Sequence, residues 1–151
     1  NRIRLITSLP PDLPKVLGFP GELGHVVLNL IVNAAHAIAE VTDNGNQRRG
    51  RITVSTRRTG DSVEIRIADD GPGIRPEIQS RVFDPFFTTK PVGKGTGQGL
   101  AICYRTVHEK HGGSLRFDST LGEGTTFIVS LPRHGTEDEG MAELRTGTEG
   151  P

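Results

Sequence analysis

Apolar and polar residues alternate along several short segments of the chain, and such a period of two predicts β-strands. The predicted strands are residues 2–9, 15–18, 51–58, 62–68, 114–117 and 125–131. A Thr59-Gly60-Asp61 turn joins the third and fourth of these segments, and the Gly-containing stretch 121–124 lies between the last two. Both connections are typical of antiparallel hairpins.

A second pattern repeats its apolar residues at intervals of three and four, which predicts helices. The longest such segment opens at Pro20-Gly21-Glu22 and carries its apolar face to about Val41. Shorter helices are predicted over 76–82 and over 97–111, the latter ending at Gly112-Gly113. Strands and helices do not alternate as simple βαβ units. We therefore expect an α+β fold: a two-layer sandwich whose mixed, mostly antiparallel sheet is covered on one face by about three helices.

The composition changes after Pro132 and sets the expected domain boundary. Residues 133–151 are rich in Gly, Glu and Thr and contain few apolar side chains, which predicts a disordered polar tail or linker. Residues 1–132 are long enough for one domain with its own core. The chain of 151 residues does not begin with Met, so we expect a piece of a longer protein.

Charge and cysteine content narrow the classes of function. The formal net charge is zero, so no long-range field attracts nucleic acid or an anionic membrane. The single cysteine, Cys103, is expected to be a small buried side chain. One cysteine cannot form an intramolecular disulfide, which is consistent with a reducing cytoplasm. The longest apolar run, Val26 to Ile38, contains three polar residues and is predicted to be too short and too polar to cross a bilayer.

Two asparagines in the long helix are candidates for metal binding. Asn29 and Asn33 are four residues apart and therefore share a face of the helix. Asparagine lowers helix stability relative to alanine, so its presence twice in an apolar helix needs a reason. The amides either bond to neighbouring backbone groups or offer oxygen to a hard cation such as Mg²⁺, which usually also binds nucleotide phosphates.

Two glycine-containing segments are candidates for nucleotide binding. Asp69-Asp70-Gly71-Pro72-Gly73-Ile74 follows a predicted strand, and its glycines allow a tight turn and a close approach to a flat ligand. Taken alone, it is equally typical of an ordinary turn. The segment 93–100, Gly-Lys-Gly-Thr-Gly-Gln-Gly-Leu, exposes backbone N–H groups before a helix, an arrangement that binds phosphate. It matches neither a Walker A loop nor a Rossmann fingerprint, and taken alone it is also typical of a flexible linker.

Aromatic and basic residues lie between these two segments. Phe83, Phe86 and Phe87 are three of the six phenylalanines, and they predict a short lid or docking patch, with Phe83 in the core. Lys90 and Lys94 are flexible point charges that can reach phosphates.

In this order and spacing, these segments resemble the ATP-binding catalytic domain of bacterial sensor histidine kinases. That domain belongs to the wider GHKL (Bergerat-fold) family, which includes DNA gyrase, heat-shock chaperone ATPases and mismatch-repair ATPases. The resemblance covers about residues 22–132. The wording Asp-Pro-Phe-Phe-Thr-Thr-Lys at 84–90 resembles kinases of the nitrogen-regulation type.

The resemblance implies roles for individual residues. Asn33 would coordinate Mg²⁺, and Asn29 would lie near the same phosphates. His36 stands where the family often has a phosphate-contacting lysine. Asp69 would accept the adenine N6 amine, and Thr125 would reach the adenine through water. The remaining positions expected to bind nucleotide are Gly71, Gly73, Ile74, Phe86, Lys90, Lys94, Gly95, Thr96, Gly97, Gln98, Gly99 and Leu100. Gln98 replaces the usual Leu or Met of the family.

The implied activity is phosphotransfer from Mg·ATP to a histidine on a separate dimerisation domain. A response regulator would be an indirect partner, and nucleic acid is not expected to be one. The fragment is expected to be a cytoplasmic monomer that binds nucleotide without phosphorylating itself, cut from a homodimeric parent that is either soluble or membrane-anchored. The gyrase and chaperone branches place a glutamate base where this chain has Asn29, which argues against efficient ATP hydrolysis.

Two alternatives remain open from the residues alone. One is a stand-alone serine kinase of the anti-sigma type, and the other is a degenerate nucleotide-binding or docking module. His108 and His111 resemble a zinc-binding pair, but their spacing is three residues rather than four and no third ligand is evident. Both are expected to be solvated residues at a helix end.

Overall fold

A five-stranded sheet forms the framework of the domain. The computed structural model describes residues 3–8, 16–18, 20–42, 50–85, 87, 99–132 and 142–144. The strands are β1 (Ile3–Ser8), β2 (Val16–Gly18), β3 (Gly50–Thr59), β4 (Ser62–Asp69), β5 (Ser114–Thr120), β6 (Gly124–Pro132) and β7 (Ala142–Leu144). The main sheet has the order β1-β3-β4-β6-β5. Only its β1–β3 pair is parallel, so the mixed, mostly antiparallel sheet is confirmed.

The described helical segments are α1 (Pro20–Thr42), a 3-10 turn (Pro76–Arg81) and α2 (Gly99–Arg105), which continues as a π-helical turn (Thr106–Lys110). α1 packs against β3 and β4, and α2 with its π-helical turn packs against β5. The Gly113 N–H donates to the Val107 carbonyl oxygen at 3.0 Å and ends this turn just before β5. The helix predicted over 97–111 is therefore an α-helix only to Arg105, and the first two positions of that prediction lie outside the described residues.

The core lies between α1 and the central strands. α1 buries one stripe of side chains spaced three and four apart: Leu23, Val26, Leu30, Ala34 and Ile38. The strands contribute alternate residues to the same core, among them Ile52, Val63, Ile67, Phe127 and Val129. Each fully buried aliphatic side chain contributes roughly 1.5–3 kcal/mol, so this stripe fixes α1 against the sheet.

The long helix also bears on the question of a membrane segment. Residues 20–41 are long and apolar enough, by length and composition, to cross a bilayer, so the sequence expectation was wrong on those two criteria. The stripe of buried side chains nevertheless packs against β3 and β4. In this structure α1 is the core helix of the domain.

One segment of the expected polar tail is described. Residues 142–144 form β7, which pairs antiparallel with β2 in a small second sheet. The assignment of 133–151 as a tail or linker otherwise remains a prediction.

The two histidines after α2 have different environments. His108 is exposed and stacks on Tyr104 with 5.7 Å between ring centroids, as expected for a solvated position. His111 is fully buried, its Nδ1 lies 3.0 Å from the Thr106 carbonyl oxygen, and its ring packs against Gly18. The prediction that both are solvated is therefore wrong for His111, which joins the end of the π-helical turn to β2.

Candidate nucleotide-binding site

One edge of α1 carries the polar residues expected to bind phosphate and metal. Asn29 and Asn33 are both half-buried, and His36 on the same edge is exposed. Their spacing of four and three residues places them on one face, beside the buried stripe. Within the described ranges, no group of three or more His, Cys, Asp and Glu residues is arranged to hold a metal ion. The side chains of Asn29 and Asn33 offer amide oxygen, a type of donor that suits a hard cation such as Mg²⁺.

Asn29 also contacts the helix that follows the glycine-rich segment. Its amide hydrogen-bonds the buried Cys103 thiol of α2, and the Cys103 Sγ lies 3.8 Å from the Val26 carbonyl oxygen. Burial raises the pKa of the Cys103 thiol to about 11, although the Asn29 hydrogen bond opposes this shift. The thiol is therefore unreactive near neutral pH, and its contacts link α2 to α1.

Asp69 is a buried carboxylate at the end of β4. It is only 9% exposed. Its Oδ1 accepts the Gly71 N–H at 2.9 Å, and the carboxylate also accepts the Thr125 backbone N–H. Burial raises the pKa of Asp69 to about 6, and the neighbouring Asp70 charge adds to the rise, while the two backbone donors oppose it. The carboxylate is thus ionised at neutral pH and keeps acceptor capacity for a ligand amine.

The loop after β4 brings Asp69 close to the asparagine edge of α1. A Cβ atom placed on Gly71 would lie 3.2 Å from Ala37, which is one turn after Asn33. Asp70, the neighbour of Asp69, is engaged elsewhere, since its Oδ1 accepts the Arg51 N–H at 2.8 Å. The fold thereby juxtaposes a buried carboxylate and the half-buried amides of α1, which are more than thirty residues apart in sequence.

The second glycine of the loop is held against the β5–β6 hairpin. Gly73 has a φ of +79°, in the left-handed region. Its Cα faces the Thr120 carbonyl oxygen at a distance that leaves no room for a Cβ. The Gly122 N–H donates to the Pro72 carbonyl oxygen at 2.8 Å and fixes the loop on the same hairpin.

Replacing Gly73 with alanine is expected to destabilise the domain by at least about 2 kcal/mol, because a left-handed backbone and a steric clash coincide there. Urea denaturation measures this loss. Gly60→Ala is the matched control, since Gly60 has a φ of +59° but nothing within 4 Å of its Cβ position. Equal losses in the two variants would show that the contact with Thr120 contributes nothing.

Thr125 on β6 is a buried neighbour of Asp69. It is 6% exposed and lies opposite Asp69 in the β4–β6 register. Its Oγ1 is 2.8 Å from the Ser119 Oγ on β5. No motif in the sequence singles out Ser119. Its position across the predicted hairpin from Thr125 was the available signal, but that signal depends on a register that only the folded hairpin defines.

The structure brings together part of the expected site. Asp69 accepts the backbone N–H groups of Gly71 and Thr125, and Gly73 lies against Thr120. Ile74 bonds to Ser119, which also contacts Thr125. Asn29, Asn33 and His36 share one edge of α1. Gly99 and Leu100 form the first turn of α2. The other expected positions lie outside the described residues: Phe86, Lys90, Lys94, Gly95, Thr96, Gly97 and Gln98. Phe83 packs against the core as expected, with its ring 5.8 Å from Phe117 and 6.2 Å from Phe127.

Comparison with known proteins finds similar domains over most of this chain. The family model described as histidine kinase-, DNA gyrase B- and HSP90-like ATPase matches residues 18–135. The solved structure of the mycobacterial sensor histidine kinase MprB is 33% identical, with a TM-score of 0.70 over 88% of this chain and 82% of that one. The full-length structure of ShkA in complex with AMPPNP is 27% identical, with a TM-score of 0.71 over 86% of this chain and 25% of that one.

The chain belongs to the histidine kinase-, DNA gyrase B- and HSP90-like ATPase family. Within it, the chain is an ATP-binding catalytic domain of the sensor histidine kinase type. The sensor histidine kinase ZraS of Escherichia coli K12 is 38% identical over 132 residues, which cover 87% of this chain and 26% of ZraS. The chain thus spans about a quarter of the length of such curated relatives.

Proposed function

We propose that this domain binds Mg·ATP and donates the γ-phosphoryl group to a histidine on a separate dimerisation domain of its parent protein. The observation that carries the proposal is the Asp69 carboxylate. It is buried, held by two backbone donors, and adjacent through Gly71 to the asparagine edge of α1. A buried acceptor next to amide oxygens matches the two ends of a nucleotide, an amine-bearing base and a metal-bound phosphate.

The proposed binding mode assigns each side of this site. Asp69 accepts the N6 amine of adenine, while Gly71, Gly73 and Ile74 lie along the ring and Thr125 reaches it through water. Asn33 provides an oxygen ligand to Mg²⁺, and Asn29 and His36 lie near the phosphates. Lys90 and residues 93–98 of the glycine-rich segment, which include Lys94, lie outside the described residues and are proposed to bind the phosphates, with Phe86 as part of the lid. The cation would neutralise charge on the transferring phosphoryl group.

The identity of Asn29 favours phosphotransfer over hydrolysis. Activation of water requires a base within reach of the attacking oxygen, and an amide is not a base. Catalysis by this site would then consist of positioning and charge neutralisation, with the nucleophile brought by another domain. We expect the isolated fragment to bind nucleotide without phosphorylating itself.

The partners and location of the parent follow from the same proposal. The acceptor histidine would lie on a dimerisation domain of a homodimeric parent, and a response regulator would receive the phosphoryl group afterwards. Placement in the cytoplasm follows from the dependence on ATP. The stand-alone serine kinase is a weaker candidate, because the similar curated proteins carry sensor kinase names.

Calorimetry with ADP and a non-hydrolysable ATP analogue, with and without Mg²⁺, tests the proposal directly. We expect micromolar-to-millimolar affinity that Mg²⁺ strengthens. In a separate assay with ATP and Mg²⁺, adding a histidine-containing dimerisation domain from a related kinase in trans should give ADP and phosphohistidine, which acid destroys, whereas a serine kinase would form an acid-stable phosphoester. No binding of either nucleotide to the folded chain would favour a degenerate docking module.

A further inference from the structure

Ser119 lies at the centre of a hydrogen-bond cluster that joins three separate segments of the site. Its Oγ is 2.7 Å from the Ile74 nitrogen in the loop after β4, 2.8 Å from Thr125 Oγ1 on β6, and 3.3 Å from the Gly124 carbonyl oxygen. Ser119 itself is half-buried on β5, directly across the hairpin from Thr125. A single hydroxyl group therefore contacts both the loop of residues 70–74 after β4 and Thr125, the threonine that is proposed to reach adenine.

The hydrogens in this cluster can be assigned by counting donors and acceptors. A serine hydroxyl has one hydrogen and two lone pairs. The Ile74 N–H occupies one lone pair of Ser119. The Ser119 hydrogen then has two acceptors in reach, and Thr125 Oγ1 at 2.8 Å is within the usual O–H···O range, whereas the Gly124 oxygen at 3.3 Å is beyond it. Donation to Thr125 leaves the hydrogen of Thr125 itself without a partner in the cluster.

That hydrogen has a natural acceptor in adenine. The N6 amine and ring atom N1 are neighbours on the same edge of the base, one a donor and the other an acceptor. Asp69, which lies opposite Thr125 in the sheet register, can only accept while it is ionised. An acceptor at Asp69 beside a donor at Thr125 complements the amine and N1 of adenine. The same pair opposes guanine and hypoxanthine, which carry an oxygen at C6 and a hydrogen on N1.

We propose that Ser119 is a positioning residue that orients the Thr125 hydroxyl to donate toward adenine N1, directly or through one water, and so contributes to the selection of adenine nucleotides. The proposal rests on the proposed ATP-binding function of the same site. Ser119 also accepts the Ile74 N–H, so it couples the position of the loop of residues 70–74 to the direction in which Thr125 donates its hydrogen. It does not itself need to contact the nucleotide.

Nucleotide analogues separate this role from a merely structural one. The probes are ADP, 1-deaza-ADP, which lacks the N1 acceptor, and 7-deaza-ADP, which keeps it. Calorimetry on the full chain should give wild-type affinity for ADP about 5- to 10-fold higher than for 1-deaza-ADP, the equivalent of one hydrogen bond. In Ser119→Ala this preference should fall to nearly one, with the loss confined to ADP and 7-deaza-ADP.

Two further variants keep the test decisive. Ser114→Ala, an exposed serine on the same strand, should leave every affinity unchanged. Ser119→Cys keeps the approximate volume but has a weak donor, so it should retain the fold and lose most of the N1 preference. Thermal unfolding verifies that each variant is folded.

Each alternative outcome has a separate meaning. An equal loss of affinity for ADP and 1-deaza-ADP in the Ser119 variants, or no loss, would overturn the positioning role. An unchanged N1 preference in a folded Ser119→Cys variant would overturn it as well. Failure of the wild-type chain to bind any of the three nucleotides would instead refute the proposed function, which the positioning role requires.

Discussion

Asn33→Ala is expected to remove the Mg²⁺-dependent part of nucleotide affinity, a loss of about 100-fold when binding is measured with Mg²⁺ present. The reason is that a ligand to a doubly charged cation cannot be replaced by a methyl group, and hydrogen bonds or ligand contacts to charged groups contribute about 1.5–3 kcal/mol. Without Mg²⁺, the variant and the wild type should bind ADP with similar, weak affinity. Calorimetry with and without the cation gives both quantities.

The structure offers a matched control on the same helix. Leu28 is 54% exposed on the same helix and is five residues from Asn33, so it does not share a face with Asn33. Leu28→Ala should leave the Mg²⁺ effect unchanged. The fold should tolerate Asn33→Ala, because alanine favours a helix interior more than asparagine does. Unchanged Mg²⁺-dependent affinity in a folded Asn33→Ala variant would count against the whole site assignment.

Asp69→Asn is expected to abolish ADP binding and, at the same time, to stabilise the protein at neutral pH. Binding is lost because the amide presents a donor where the carboxylate accepts the adenine amine. We expect an affinity loss of about 100-fold or more, because the adenine amine and the amide that replaces the carboxylate would both be left as unpaired donors, and buried unpaired donors are costly. Calorimetry at pH 7.5 measures it.

The stability gain follows from the raised pKa of Asp69. The pKa of Asp69 in the folded protein is about 6, against an ordinary value of 3.8. The folded state therefore holds the proton more tightly than the unfolded chain. The free energy of unfolding falls as pH rises between those two values, and the cost of the carboxylate is complete above about pH 6. A difference of two pKa units corresponds to about 3 kcal/mol, so a gain of about 1–3 kcal/mol is expected at pH 7.5.

The pH dependence is the decisive control for this variant. The advantage of Asp69→Asn over the wild type in urea denaturation should shrink as pH falls from 7.5 to 4, because the wild-type carboxyl becomes protonated in the folded state. Asp70→Asn should not combine a loss of ADP binding with a gain in stability, since Asp70 accepts the Arg51 N–H and is not the buried acceptor. A wild type that is more stable than Asp69→Asn at pH 7.5 would contradict the idea that this carboxylate is kept for binding at the expense of stability.

Much of the fold was predictable because it depends on local periodicity. The intervals of three and four in α1 place Leu23, Leu30 and Ile38 on one face, and the structure buries all three. Alternation in β4 likewise identifies Val63 and Ile67 as inward-facing. The expected strands were confirmed with boundary shifts of one to three residues. The largest departure from the predicted elements is the change from α-helix to π-helical turn at Thr106, which no local pattern predicted.

The candidate site was predictable only as a set of motifs. The sequence identified Asp69 and Asn33 by residue type and spacing, and the resemblance gave them roles. It could not show that Gly71 lies against Ala37, because that contact depends on how β4 and α1 pack. It also missed Ser119, whose partner Ile74 is 45 residues away.

By itself, the sequence determined which faces of the helices and strands are apolar, the class of fold and the family of the domain. These properties follow from hydrophobic periodicity and from ordered motifs, which neighbouring residues carry. The tertiary structure alone decided the burial that raises the pKa of Asp69, the full burial of His111, and the cluster of Ser119, Thr125 and Ile74. Desolvation and hydrogen bonding between distant segments depend on sheet register and on helix packing, and no single segment encodes either.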